Sequence, residues 1–217
     1  MVLISMSKRF VYIKNCKVAG SSVEAVLQKY TVDDPAAYVI SHGAPKTISA
    51  AGICGGRQEE GEVGGDVEAR LFFNHMSLEE VKEICPDWVK SFTTVCVVRN
   101  PWDQVVSGFH FAKDKNVIPQ SSTFESFVMS QTESWNWSRM CLDDRFCIDF
   151  VIKFESLSED LKRLATQLDL ELPAELPHFK RSASRQGKPY RQYYNDKTRQ
   201  HVADIYEKEI AQFGYNF

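Results

Sequence analysis

The chain has 217 residues, 43% of them hydrophobic and 25% charged, which is enough apolar material for one globular domain with a sizeable core. With a net charge of −3 and a pI near 6.0, a broad basic face for nucleic acid or a long polyanion is not predicted. No apolar stretch approaches the roughly 20 residues of a bilayer-spanning helix, the first ten residues turn charged too early for a signal peptide, and the six cysteines lack C-x-x-C spacing, so a cytoplasmic protein with reduced, mostly buried thiols is expected.

Residues 10–13 read as a buried strand. A helix is expected over 21–30, where Val23, Val26, Leu27 and Tyr30 fall at i, i+3, i+4 and i+7, with Ser21 and Glu24 at capping-box spacing. Residues 31–70 hold Gly43, Gly52, Gly55, Gly56, Gly61, Gly64 and Gly65 together with Pro35 and Pro45, the composition of an irregular insertion. A short strand is expected over 71–73, and a short helix from Ser77 to Cys85, again with a capping box (Ser77, Glu80) and a stop at Pro86. Residues 92–98 are a strongly apolar β run. Asn100 then caps a helix with Pro101 at its first position and an inward stripe of Trp102, Val105, Val106 and Phe109. A strand over 150–154, an amphipathic helix from Ser158 to about Leu168, a basic proline-containing loop over 171–194 and a helix from Asn195 to Phe213 closed by Gly214 complete the chain. Strands alternating with helices predict an α/β fold in a single domain spanning residues 1–217, with a mainly parallel central sheet flanked by helices.

In such sheets ligands sit beyond the carboxyl ends of the strands. Two loops occupy that position. The first, within "FVYIKNCKVAGSSVE", joins a strand to a helix N-terminus, where backbone N–H groups and the helix dipole favour an anion. Gly20 permits close backbone approach, Ser21 and Ser22 add hydroxyls, and Lys17 adds a mobile charge. The bland alternative is a capped helix with solvated Lys14 and Lys17. The kinase-type pattern G-x-x-x-x-G-K-[ST] is not met, since the lysine precedes the glycine by three residues. The second loop, in "VVRNPWDQVVSGF", places Arg99 at a strand end and Ser107 two helical turns on. A guanidinium fork suits a phosphate, although pairing with a carboxylate is a common alternative fate. Two anion-competent loops suggest one ligand with two separated phosphates.

Both motifs, in this order and at this interval, resemble the two nucleotide-binding motifs of the sulfotransferase superfamily, K-x-A-G-[ST]-[ST] and R-N-P-W-x-x-x-x-S, in its carbohydrate-type and bacterial branches. "DFVIKFESLSEDLKRL" and the tail from Tyr190 are similar to the same families, so the resemblance omits only about residues 31–70 and 113–147. It implies a P-loop-like fold, 3'-phosphoadenosine 5'-phosphosulfate (PAPS) as sulfuryl donor, adenosine 3',5'-bisphosphate (PAP) as product, and no metal. By position, Lys17 is the lysine of the phosphosulfate loop, and Val18, Ala19, Gly20, Ser21 and Ser22 contact the 5'-phosphate. Arg99 and Ser107 match the 3'-phosphate pair. Arg185, Lys188, Tyr190 and Arg191 match the late loop over the nucleotide. Lys14 and Gln104 depart from the family pattern, which more often has histidine and arginine there.

Sulfuryl transfer needs a base for the acceptor proton. Among His42, His75, His110, His178 and His201, His75 is the candidate: it stands between an apolar run and a helix start, and glycan-modifying relatives carry a basic histidine in a similar place. Its alternative is packing against the next helix. His110, beside Phe109 and Phe111, reads as structural, and His201 belongs to a helix surface. The expected reaction is in-line displacement onto a hydroxyl or amine, with Lys17 and loop amides stabilising the leaving phosphate. The segments outside the resemblance carry Glu59, Glu60, Glu62, Asp66, Glu68, Trp135, Trp137, Asp143 and Asp144, which suit a small, cationic, hydroxylated acceptor such as a secondary metabolite better than an anionic glycan. A carbohydrate O-sulfotransferase, an ATP-dependent phosphotransferase and a non-catalytic nucleotide-binding module stand as alternatives.

Overall fold

The computed structural model describes residues 2–40, 47–55, 72–177, 179, 185 and 187–217. His42, His178, Leu71 and the acidic run with Glu59, Glu60, Glu62, Asp66 and Glu68 lie outside the described residues. The chain divides into two compact units, Met1–Val98 with Ser138–Phe179, and Arg99–Trp137 with Lys180–Phe217.

The first unit is built on a mixed sheet. Its strands are β1 (Leu3–Ser5), β2 (Phe10–Ile13), β3 (Thr47–Ile48), β4 (Gly52–Cys54), β5 (Thr93–Val98) and β8 (Phe150–Lys153), in spatial order β3-β4-β1-β2-β5-β8. β2 pairs parallel with β5 from Phe10↔Thr93 to Ile13↔Cys96, and β5 pairs parallel with β8 from Val95↔Phe150 to Val98↔Lys153. This parallel half carries the strands the apolar runs predict. All four residues of β2 are buried, as a strand covered on both faces requires. The antiparallel half, β1 with β2 and the β3–β4 hairpin on β1, comes from segments whose sequence gives little strand signal, and part of the expected irregular insertion is therefore sheet. Of the strand expected at 71–73, the described part makes one bridge, Val2 N donating to Phe73 O at 3.4 Å.

Helix α1 (Gly20–Leu27) buries Val23 and Leu27 against Phe10, Tyr12, Val95, Val97 and Ile152, and α6 (Leu157–Leu168) adds Leu161 and Leu164 to the same core. Each such side chain contributes about 1.5–3 kcal/mol on burial. α2 (Leu78–Ile84) forms with its capping box complete, Ser77 and Glu80 each satisfying the other's backbone N–H. A second short helix, α3 (Pro86–Ser91), follows at once, because proline fits the first helical position and so starts a helix as well as ending one. A small hairpin of β6 (Cys141–Leu142) and β7 (Arg145–Phe146) turns through Asp143 and Asp144, whose φ values of 48° and 61° are those of a two-residue type I′ turn.

The second unit holds α4 (Pro101–Asp114), α5 (Phe124–Met129), α7 (Asp196–Ile205) and α8 (Glu207–Phe213). Asn100 caps α4, its side chain accepting from Trp102 N at 3.1 Å, and Trp102, Val105, Val106 and Phe109 are buried as their spacing predicts. α7 opens with a capping box of Asn195 and Thr198. The single final helix expected from the sequence is divided at Tyr206, which leaves helical dihedrals (φ −110°, ψ 20°) while its ring is fully buried, and Gly214 (φ 68°) closes α8. The six cysteines are free thiols: Cys54, Cys96 and Cys141 buried, Cys16 and Cys85 half-buried, Cys147 exposed. No helix among the described residues is long and apolar enough to cross a membrane.

Candidate active site

Because β2, β5 and β8 run parallel, the chain leaves all three at one edge of the sheet. The loop after β2 is tied to the end of β5 by the Asn15 amide, which donates to Val97 O at 2.9 Å within a buried environment. Lys17 (φ 61°) and Ala19 (φ 64°) both take left-handed backbone, a conformation that costs a non-glycine residue about 1–2 kcal/mol. Ala19 is the N-cap of α1, and it offers no side-chain acceptor, nor does an acidic residue stand in the first turn. Ser22 N and Val23 N donate to Ala19 O at 2.9 and 3.4 Å, so Gly20 and Ser21 hold the helix-start amides that helix geometry leaves without an intrahelical acceptor. A Cβ on Gly20 would lie 3.2 Å from both Asn15 O and the Tyr12 hydroxyl, so this turn closes on glycine.

The expected capping box of Ser21 and Glu24 does not form. The helix starts one residue earlier, placing Ser21 inside the first turn, and the Glu24 carboxylate instead ion-pairs with Lys14. Both side chains are buried, 7% and 5% exposed, and a buried ammonium demands a counter-charge more strongly than a helix start demands a cap. Lys14 is therefore not solvated, as the bland alternative had it, whereas Lys17 is half-buried in the loop. Val18 anchors the loop in the core, and Ser22 Oγ accepts from Phe179 N at 3.2 Å.

His75 stands beside this loop. Its Nδ1 lies 2.9 Å from Lys14 O. A carbonyl only accepts, so Nδ1 carries the proton and Nε2 keeps the basic lone pair. Cys16 Sγ is 3.6 Å from the same Nδ1, and His75 O accepts from Arg139 Nε at 3.1 Å. His75 itself adopts φ 65°. Burial pushes its pKa down to about 4; the Lys14 and Arg139 charges act in the same direction, and the hydrogen bond to Lys14 O opposes them. The imidazole is thus neutral at pH 7, the form a proton acceptor must have.

In the second unit, Arg99 Nε and Nη2 both donate to Asp103 Oδ2, at 2.7 and 2.6 Å. Arg185 Nη2 donates to the other carboxylate oxygen, Oδ1, at 2.6 Å, and its Nε to Lys188 O at 3.3 Å. Ser107 is half-buried one further turn along α4 from Asp103. Lys188 Nζ lies 4.4 Å from the Tyr193 ring centroid. Tyr190 packs edge-on against Phe217, and Arg191 donates to Phe217 O at 2.8 Å, so both are held by the C-terminal aromatic cluster. His110 bonds the Tyr193 hydroxyl at 2.9 Å and meets the Phe109 ring, the structural role its neighbours predict. His201 Nε2 donates to Gln131 O at 2.9 Å. Trp135 fills the space over Gly108, and the ring of Trp137 lies 5.9 Å from Lys208 Nζ; both tryptophans are half-buried. Two features escaped the sequence reading. Asp103 was signalled only by its i+4 spacing from Arg99, and the Lys14–Glu24 pair spans a loop that no periodicity describes.

The family model described as "Sulfotransferase family" matches residues 2–216. Among solved structures, the chain is similar to a mouse sulfotransferase, SULT7A1, complexed with PAP, at 12% sequence identity and a TM-score of 0.56, covering 95% of this chain and 85% of that one. Comparison with curated proteins gives no match.

Proposed function

This chain belongs to the sulfotransferase family, and from that premise we propose that it transfers a sulfuryl group from PAPS to a hydroxyl or amine of a small-molecule acceptor. The observation that carries the reading is the start of α1. A helix whose N-cap, Ala19, gives no side-chain acceptor and which follows a loop with left-handed backbone at Lys17 and at Ala19 itself suits an anion. Lys17 and the backbone of Val18, Ala19, Gly20 and Ser21, with the Ser22 hydroxyl, are of the chemistry that suits a phosphosulfate, and Arg99, Arg185 and Ser107 of that which suits a phosphate; Lys188, Tyr190 and Arg191 are assigned to the nucleotide by motif.

PAPS, when bound, supplies the sulfuryl group and leaves as PAP. His75 takes the acceptor proton on Nε2 while the hydrogen bond from Nδ1 to Lys14 O holds the ring and its tautomer. Lys17 and the loop amides stabilise the charge that gathers on the leaving phosphate oxygen. The acceptor is proposed to be a small hydroxylated or amine-bearing molecule, cationic to complement the acidic composition of the segments outside the two motifs. Isothermal titration with PAP and with ATP plus Mg²⁺ separates this reading from a phosphotransferase: PAP is expected to bind and ATP to bind poorly or not at all. Transfer of labelled sulfate from PAPS across an acceptor panel, lost in His75→Ala, separates an enzyme from a nucleotide-binding module. A folded protein that gives no heat with PAP would refute the proposal.

A further inference from the structure

We propose that Asp103 is a positioning residue for the 3'-phosphate site: its carboxylate gathers the guanidiniums of Arg99 and Arg185 into one phosphate-binding pair. This rests on the reading that these arginines meet the 3'-phosphate. The geometry is specific. Asp103 gives one oxygen to each arginine, Oδ2 to the Nε and Nη2 of Arg99 and Oδ1 to the Nη2 of Arg185, all at 2.6–2.7 Å. The three side chains are only 8%, 13% and 22% exposed, so water screens them weakly. Two guanidiniums drawn together in such a place repel one another. A carboxylate between them removes half of the combined charge and fixes both planes, and the trio keeps a net charge of +1.

Asp103 also occupies the first turn of α4, where an acidic side chain is favoured by the helix dipole. That local role does not account for the bond to Arg185, which is 82 residues away in sequence and belongs to the late basic loop. The carboxylate thus joins two sequence-distant arginines at one point of the second unit.

The consequence runs against simple charge counting. Asp103→Asn removes a negative charge from an anion site, which by itself would raise affinity for a phosphate. If Asp103 positions the arginines, affinity for PAP falls instead, by about tenfold, the size of one charge-assisted hydrogen bond. The test is calorimetric titration of wild type, Asp103→Asn, Arg185→Gln and the double variant with PAP and with adenosine 5'-phosphate, which lacks the 3'-phosphate. The expected result is that wild type prefers PAP, that each single change cuts this preference about tenfold, and that the double variant loses little more than either single one. Asp103→Glu, which keeps the charge, should recover part of the preference. Arg185→Gln leaves the first turn of α4 intact, so it reads the same coupling even if Asp103→Asn lowers the melting temperature. Tighter or unchanged PAP binding by Asp103→Asn, or full additivity in the double variant, would overturn the inference. A wild-type protein that binds PAP no better than adenosine 5'-phosphate would instead refute the 3'-phosphate assignment on which it rests.

Discussion

Glu24→Gln is the sharpest perturbation the first unit offers. It removes the counter-charge of Lys14 while leaving a side chain of the same size, in a place where the two groups are 7% and 5% exposed. Breaking a buried ion pair from one side costs about 3–5 kcal/mol, because the remaining charge stays out of water without a partner. That is a large share of the roughly 5–15 kcal/mol that holds a typical domain together. With a urea m-value of about 2–3 kcal/mol/M, the midpoint should fall by about 1–2 M. Replacing both partners, Lys14→Met with Glu24→Leu, leaves no buried charge and should return the midpoint to within about 0.5 M of wild type or above it. Urea titrations followed by far-ultraviolet circular dichroism measure both. The reasoning is refuted if Glu24→Gln shifts the midpoint by less than about 0.3 M, or if the double variant is as unstable as the single ones. The pair then would be solvated in effect, and the displaced capping box would need another cause.

Gly108→Ala in α4 should destabilise although alanine is the better helix former by about 1 kcal/mol. Its Cβ would lie 2.1 Å from Trp135 Cη2 and 2.7 Å from Cζ3, so the ring must move, at a cost of about 1–3 kcal/mol that a lower melting temperature and altered tryptophan fluorescence would register; a higher melting temperature would contradict the packing. His75 makes stability depend on pH in a defined direction. Its pKa drops from 6.5 to about 4 on folding, so between these values the unfolded chain binds a proton that the folded one does not, and stability is full above about pH 6.5 and declines as pH falls toward 4. His75→Asn should flatten that part of the profile, and long-range ¹H–¹⁵N spectra of the wild type at pH 7 should show a neutral ring protonated on Nδ1; a ring that titrates near 6.5 would remove the case for its burial.

Periodicity, capping residues and strand-end motifs placed β2, β5, β8, α4 and α6 and the loops that follow β2 and β5, because these features are local: an apolar run, an Asn-Pro start or a K-x-A-G-S-S turn states its structure within a few residues. The resemblance to sulfotransferases rested on the same local motifs. What sequence alone misjudged was settled by contacts between distant segments. The start of α1 moved to Gly20, with Ala19 as its N-cap, because Glu24 was needed by a lysine ten residues before it. The N-terminal strand became sheet because β2 offered it an edge, and the 47–54 hairpin because β1 did, which two- and three-residue strands cannot signal by themselves. Asp103 gained its place between two arginines because folding brought Arg185 to it. Charges and short strands take their meaning from partners, and partners are chosen by packing, which a linear pattern does not contain.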